Sequence, residues 1–182
     1  YILEVFVNRT SIADLTITQK AATDCAGINV EHCSYFTAER VKLDGLTGIS
    51  IRNHAVIYPR ILSCLIFDCG SWGILLNGNS TQIVQDCIII GCANSGIWAA
   101  STEDFVFEGN YISGCNATDN NKAVRLASVA RGIVANNVLY SNDHSLSLGA
   151  GLDIVIQGNV ISTETGAAGY GITCSTCERV SI

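Results

Sequence analysis

The run Gly73-Ile74-Leu75-Leu76-Asn77-Gly78-Asn79-Ser80-Thr81-Gln82-Ile83-Val84-Gln85-Asp86-Cys87-Ile88-Ile89-Ile90-Gly91-Cys92-Ala93-Asn94-Ser95-Gly96-Ile97 leads from one Gly-Ile pair to the next. Its apolar residues cluster around Ile74–Leu76, Val84 and Ile89, with Gly, Asn, Ser and Asp between them. Alternation at period two is the mark of strand. The run therefore reads as three short strands joined by turns.

The same columns recur along the chain. One is Ile12, Ala38, Ile61, Val84, Phe107, Val134 and Ile156. Three residues later come Leu15, Val41, Cys64, Cys87, Asn110, Asn137 and Asn159. Two residues further are Ile17, Leu43, Ile66, Ile89, Ile112, Leu139 and Ile161. A fourth column follows a small residue: Gly27-Ile28, Gly48-Ile49, Gly73-Ile74, Gly96-Ile97, Ala123-Val124, Ser145-Leu146 and Gly171-Ile172.

From the fourth column to the next first-column position the step is 10 residues in six cases of seven; from Ile49 to Ile61 it is 12, across the only proline, Pro59. From the third column to the fourth it varies between 6 and 12. One turn thus absorbs the length variation, and the mean repeat is (172 − 28)/6 = 24 residues. No window carries the apolar stripe that a helical solenoid needs. A repeat of this size predicts a right-handed parallel β-helix, all-β, of about seven coils stacked about 4.8 Å apart.

These columns resemble the parallel β-helix repeat of the pectin-lyase-like superfamily: Gly-Ile-x-apolar, an apolar strand, then Asn-x-Ile. The resemblance covers residues 12–182 and implies the fold. It also implies that the Gly-Ile sheet and its flanking loops form a polysaccharide groove. It leaves function open between two classes, because the fold carries many functions. One is an elongated, secreted or surface scaffold with a carbohydrate-binding face, similar to repeat regions of tailspikes, adhesins and fibrocystin-type proteins. The other is a polysaccharide lyase, hydrolase or epimerase. The mannuronan epimerase motif Tyr-Gly-x-Asp-Pro-His is not completed by Tyr170-Gly171-Ile172-Thr173-Cys174, and the Trp-Ile-Asp-His of pectate lyases and Gly-His-Gly of polygalacturonases are missing.

The candidate site lies on this face and its variable turns. Trp72 and Trp98 offer aromatic surface to a sugar ring, and Lys122, His144 and Glu164 offer polar contacts. Asp119 and Asp143 are the candidate acid and base for glycoside cleavage, and Arg125 is a candidate base for a lyase reaction. The acidic loops could equally take Ca²⁺; no other cofactor is implied. The competing reading of all these residues is a solvated surface turn.

Nine cysteines are an odd set for a disulfide framework. Cys64 and Cys87 share a column with three asparagines, and Cys69, Cys92 and Cys115 form another, continued by Asn142. The reading favoured is structural: small thiols and laddered asparagines filling tight corners. Ladder disulfides are the alternative. The lone Cys174-x-x-Cys177 lacks a second ligand pair, so no metal site is expected. Sequons at Asn8, Asn79 and Asn116 permit N-glycosylation.

The net charge of −6 disfavours a nucleic-acid partner. Apolar runs are too short to span a bilayer. The expected partner is a polysaccharide or glycan, and the expected location is extracellular or surface. Residues 1–182 are read as one β-helix domain, a slice of a longer solenoid. Tyr1–Val7 is strand-like, Ile182 falls mid-coil, and homo-oligomer contacts or flanking domains are expected to cover the ends.

Overall fold

The structure is a computed structural model, and it describes residues 1–18, 26–115, 122–142, 144–163 and 169–182. Every strand pair is parallel. The chain winds as a parallel solenoid of about seven turns.

Each coil contributes to three faces. A front face stacks Leu3–Val5, Ile28–Glu31, Ile51–His54, Ile74–Ser80, Ile97–Glu103 and the opening halves of Lys122–Ala135 and His144–Gln157, then Ile172–Ser175. A side face stacks Ser11–Ala13, Thr37–Glu39, Arg60–Leu62, Ile83–Gln85, Val106–Glu108, the closing halves of the same two long strands, and Glu178–Ser181. Those two faces belong to one bent sheet. A back sheet stacks Thr16–Thr18, Lys42–Asp44, Leu65–Phe67, Ile88–Ile90, Tyr111–Ser113, Val138–Asn142 and Val160–Thr163.

The registers follow the sequence columns with one shift. Val84 pairs with Ile61 and Phe107, and Ile89 with Ile66 and Ile112. In the second coil, however, Ile51 pairs with Ile28 and Ile74. The expected alignment on Gly48-Ile49 is therefore two residues early, and Ser50-Ile51 takes the position. The fixed ten-residue path from front strand to side strand selects the second pair, and Ser50 is small enough for the narrow position before it. A Cβ on Gly27 would lie 2.6 Å from the Ser50 carbonyl oxygen, and one on Gly73 the same distance from that of Gly96. The column needs a small residue, and Ser50 serves as Ser145 does four coils later. With Ile51 in place the step to Ile61 is 61 − 51 = 10, like all the others. Pro59 accommodates no insertion. The first strand is also a full member: Leu3, Glu4 and Val5 pair with Ile28, Asn29 and Val30.

The inward residues form one continuous core, with Ile28, Ile51, Ile61, Ile66, Ile74, Ile89 and Phe107 completely buried. The side–back corner is held by the ladder. Asn137 Oδ1 accepts from the Asn110 backbone N–H at 2.9 Å, and Asn137 Nδ2 donates to the Phe107 carbonyl at 3.0 Å. Asn110 and Asn159 donate likewise to Val84 and Val134. Cys64 and Cys87 sit in the same column and offer their thiols to the equivalent carbonyls of Ala38 and Ile61, at 3.6 Å each. At the turn after the back sheet, Asn142 repeats the pattern, accepting from the Cys115 N–H and donating to Ile112. The eight described cysteines are free thiols; Cys25 lies outside the described residues. Hydrogen bonding with the neighbouring thiols, together with burial, pushes Cys87 and Cys92 well above the usual thiol range, so they stay protonated. The structural reading of these columns holds, and the ladder disulfides are not formed.

Candidate functional site

The registers set two outward rows on the front face. The first row is Asn29, Arg52, Leu75, Trp98, Arg125, Ser147 and Thr173. The second is Glu31, His54, Asn77, Ala100, Ala127, Gly149 and Ser175. Arg52 and Arg125 share the first row.

Three of the expected residues come together. The Trp72 and Trp98 rings lie 4.9 Å apart at 41°. The Arg125 guanidinium sits over Trp98, 5.3 Å from the ring centre. Trp98 is thus flanked by an aromatic ring and a cation. Such a cation–π contact contributes about 0.5–1 kcal/mol at an exposed site and more when desolvated. The Trp98 Nε1 is buried without an acceptor among the described residues. Trp72 and Trp98 are both half-buried, and the Trp98 ring lies between Trp72 and Arg125.

Trp72 lines an open cleft of about 520 Å³ with Tyr1, Ala26, Thr47, Gly48, Ile49, Gly70 and Ser71. Its lining is mostly small residues, and the turns that contribute Thr47–Ile49 and Gly70–Trp72 are short, six residues separating Asp44 from Ile51. Along the row, Arg52 Nη1 donates to the Tyr1 hydroxyl at 2.5 Å and to Glu31 at 3.3 Å. Asn29 Nδ2 also donates to Glu31, at 3.2 Å. Tyr1, Arg52, Glu31 and Asn29 form a part-buried polar group that sequence reasoning did not single out. The available signal was the step of 23 residues, which puts Arg52 directly beside Asn29.

Lys122 and His144 are direct strand neighbours. His144 Nδ1 accepts from the Tyr170 backbone N–H at 3.0 Å, and the two rings stack at 5.4 Å and 7°. That assigns the proton of a neutral His144 to Nε2. Asp119, Asp143, Glu164 and Asn116 lie outside the described residues, as does the side chain of Asn79. Asn8 is exposed on a turn, where its Oδ1 accepts from the Ser34 N–H at 2.7 Å. Among the described residues no cluster of three or more His, Cys, Asp or Glu side chains could hold a metal ion. Among the described residues no helix is long and apolar enough to cross a membrane.

Comparison with known proteins agrees with this fold, a parallel β-solenoid. The family model described as a right handed beta helix region matches residues 5–118, and the chain belongs to that family. Among solved structures it is similar to the Azotobacter vinelandii mannuronan C-5 epimerase AlgE6 A-module, with a TM-score of 0.69 at 17% identity, over 99% of this chain and 55% of that one. The catalytic domain of a GH87 α-1,3-glucanase in complex with nigerose matches at TM-score 0.45 and 10% identity, over 94% of this chain and 55% of that one. The Dettilon tailspike protein gp208 matches at 0.46 and 11%, over 98% and 54%. The chain spans about half the length of these three. The likeness is one of fold. No curated protein sequence matches the chain.

Proposed function

We propose that the front face is a polysaccharide-binding surface on an elongated β-helix scaffold working outside the cell or at its surface. The observation that carries this reading is the Trp72–Trp98–Arg125 stack beside the open cleft. An indole backed by a second indole is a rigid plate for the C–H face of a sugar ring. Arg52 and Arg125 lie in one outward row, separated by Leu75 and Trp98. Their guanidiniums suit the hydroxyls or carboxylates of successive sugars in a chain running along the coils. The epimerase module that shares this fold acts, by its name, on mannuronan, which supports a saccharide as the ligand class. Exposure outside the cytoplasm fits the sequons and a saccharide partner.

Affinity electrophoresis through gels containing neutral or uronate-rich polysaccharides, with and without Ca²⁺, tests the reading. Retardation by at least one polysaccharide that is lost in Trp72→Ala supports it. Mobility unchanged by every polysaccharide refutes it. The same mixtures assayed for unsaturated-uronate absorbance and new reducing ends test whether Asp119, Asp143 or Arg125 does chemistry there. Product formation abolished in Asp143→Asn would make the scaffold an enzyme.

A further inference from the structure

We propose that the corner between the front and side faces carries a second saccharide site, for an anionic sugar, built on Tyr35 and Tyr58. Arg9, Tyr35 and Tyr58 stand two residues before Ser11, Thr37 and Arg60, which are successive neighbours on the side face. They therefore occupy one turn position on three consecutive coils. The two tyrosine rings stack 4.9 Å apart at 14°, and the Arg9 guanidinium lies 5.7 Å from the centre of the Tyr35 ring. The group has the composition of Trp72, Trp98 and Arg125 at the other edge of the front face: two rings 4.9 Å apart with a guanidinium over one of them.

Packing alone does not call for these rings. Tyr35 and Tyr58 are 51% and 39% exposed, while Phe36 and Val56 beside them are fully buried and close the core. Both tyrosines have a φ of 59°, where a bulky side chain is rare and Gly, Asn or Asp is at ease. Further along, the same position carries Thr81, Asp104, Arg131, Asp153 and Arg179. There the charged side chains pair with one another, Arg131 with Asp104 and Arg179 with Asp153. Strained backbone kept beneath an exposed aromatic stack points to function.

Two observations select an anionic sugar. The first is the open face of the stack. Arg9 covers Tyr35, so the free side of Tyr58 looks toward Thr81 in the next coil. A pyranose lies flat on such a ring through its C–H bonds. The second is charge. Arg9 and Arg60 have no carboxylate partner among the described residues, whereas Arg40, Arg52, Arg131 and Arg179 each have one. In a chain of net charge −6, guanidiniums left unpaired beside an aromatic stack suit a carboxylate or sulfate on the ligand. The site uses neither tryptophan and not Arg125, so it stands or falls separately from the front-face reading.

Isothermal titration calorimetry of the 182-residue chain carrying Trp72→Ala tests the proposal with uronate, sulfated and neutral hexasaccharides. At least one anionic hexasaccharide should bind, at least tenfold tighter than the neutral one; the two anionic arms tell a carboxylate from a sulfate. Tyr58→Asn removes the ring and installs a residue suited to positive φ, so the turn still forms. It should weaken binding at least tenfold, and Arg9→Gln at least threefold. Arg40→Gln removes the same charge from the side–back corner and should leave the affinity unaltered. Absence of binding to both anionic ligands overturns the proposal. So does binding that survives Tyr58→Asn, or that Arg40→Gln weakens as much as Arg9→Gln does. The chain with Trp72 intact, titrated in parallel, separates the two sites. Binding lost with Trp72→Ala and kept in Tyr58→Asn leaves the front face standing and overturns the corner; the reverse keeps the corner and removes the front face.

Discussion

Replacing Asn137 by alanine tests the ladder that shapes every coil. Asn137 is 1% exposed. Its Oδ1 takes the backbone N–H of Asn110, and its Nδ2 reaches the carbonyl of Phe107. Alanine removes both partners and leaves two buried backbone groups unsatisfied. The Asn110 and Asn159 side chains also lose their bonds to Asn137, but Asn110 Nδ2 keeps the Val84 carbonyl and Asn159 Oδ1 keeps the Asn137 backbone N–H. The groups left wholly to be satisfied are therefore the two backbone ones. Each costs about 1–3 kcal/mol when buried without a partner, so the variant should lose about 4 kcal/mol. For a chain of this length that corresponds to a drop of roughly 8–16 °C in melting temperature. Asn137→Cys should lose less, because a thiol can donate to the Phe107 carbonyl as Cys87 does to Ile61. The assay is urea unfolding followed by circular dichroism, with hydrogen exchange at the Asn110 amide. Solenoid coils contact only their neighbours, so accelerated exchange should centre on the coils around Asn110. A loss below 1 kcal/mol with the Asn110 amide still protected would refute the reasoning.

Other outcomes follow from the same structure. Asn53 points into the core between Val30 and Leu76, with both side-chain polar atoms buried and unpartnered; Asn53→Leu should stabilise the protein by about 1–3 kcal/mol in urea unfolding. A Cβ on Gly132 would lie 2.1 Å from the Phe105 ring, so Gly132→Ala should cost about 1–3 kcal/mol through displacement of that ring, seen in thermal unfolding. The Arg131 guanidinium beside Asp104 holds its carboxyl below the ordinary range, and Arg40 and Arg179 do the same for Asp14 and Asp153. Their contribution is present above the ordinary value of about 3.9 and fades as pH falls through the folded values. NMR titration should place all three below 3.9, with Asp104 returning toward it in Arg131→Gln.

Much of this fold was legible because the solenoid repeats its constraints. The columns through Val84 and Ile89 are read directly as strand neighbours, and the Cys/Asn columns are read as corners. The second coil was misaligned because Gly48-Ile49 and Ser50-Ile51 both satisfy a small–apolar pair. Only the register between coils, with ten residues from Ile51 to Ile61, selects the second pair. The site was partly legible. Trp98 and Arg125 are adjacent by register, and Trp72 precedes its own Gly-Ile pair. The enclosure of Trp98 between Trp72 and Arg125 depends on side-chain direction, which column alignment does not encode. The Tyr1–Arg52 hydrogen bond joins residues 51 positions apart. It depends on Tyr1 meeting Arg52 two coils further along, across Asn29 and Glu31.

The chain has two tryptophans, and both lie in the candidate site. Intrinsic tryptophan fluorescence is therefore a direct reporter of that site alone. The measurement that tests the central proposal is a fluorescence titration of the protein with neutral and uronate-rich polysaccharides. The account predicts a saturable change in intensity or emission wavelength with at least one of them, weakened at least tenfold by Arg125→Ala. A flat response across the panel, or binding seen by another method that leaves both tryptophans unperturbed, would contradict it.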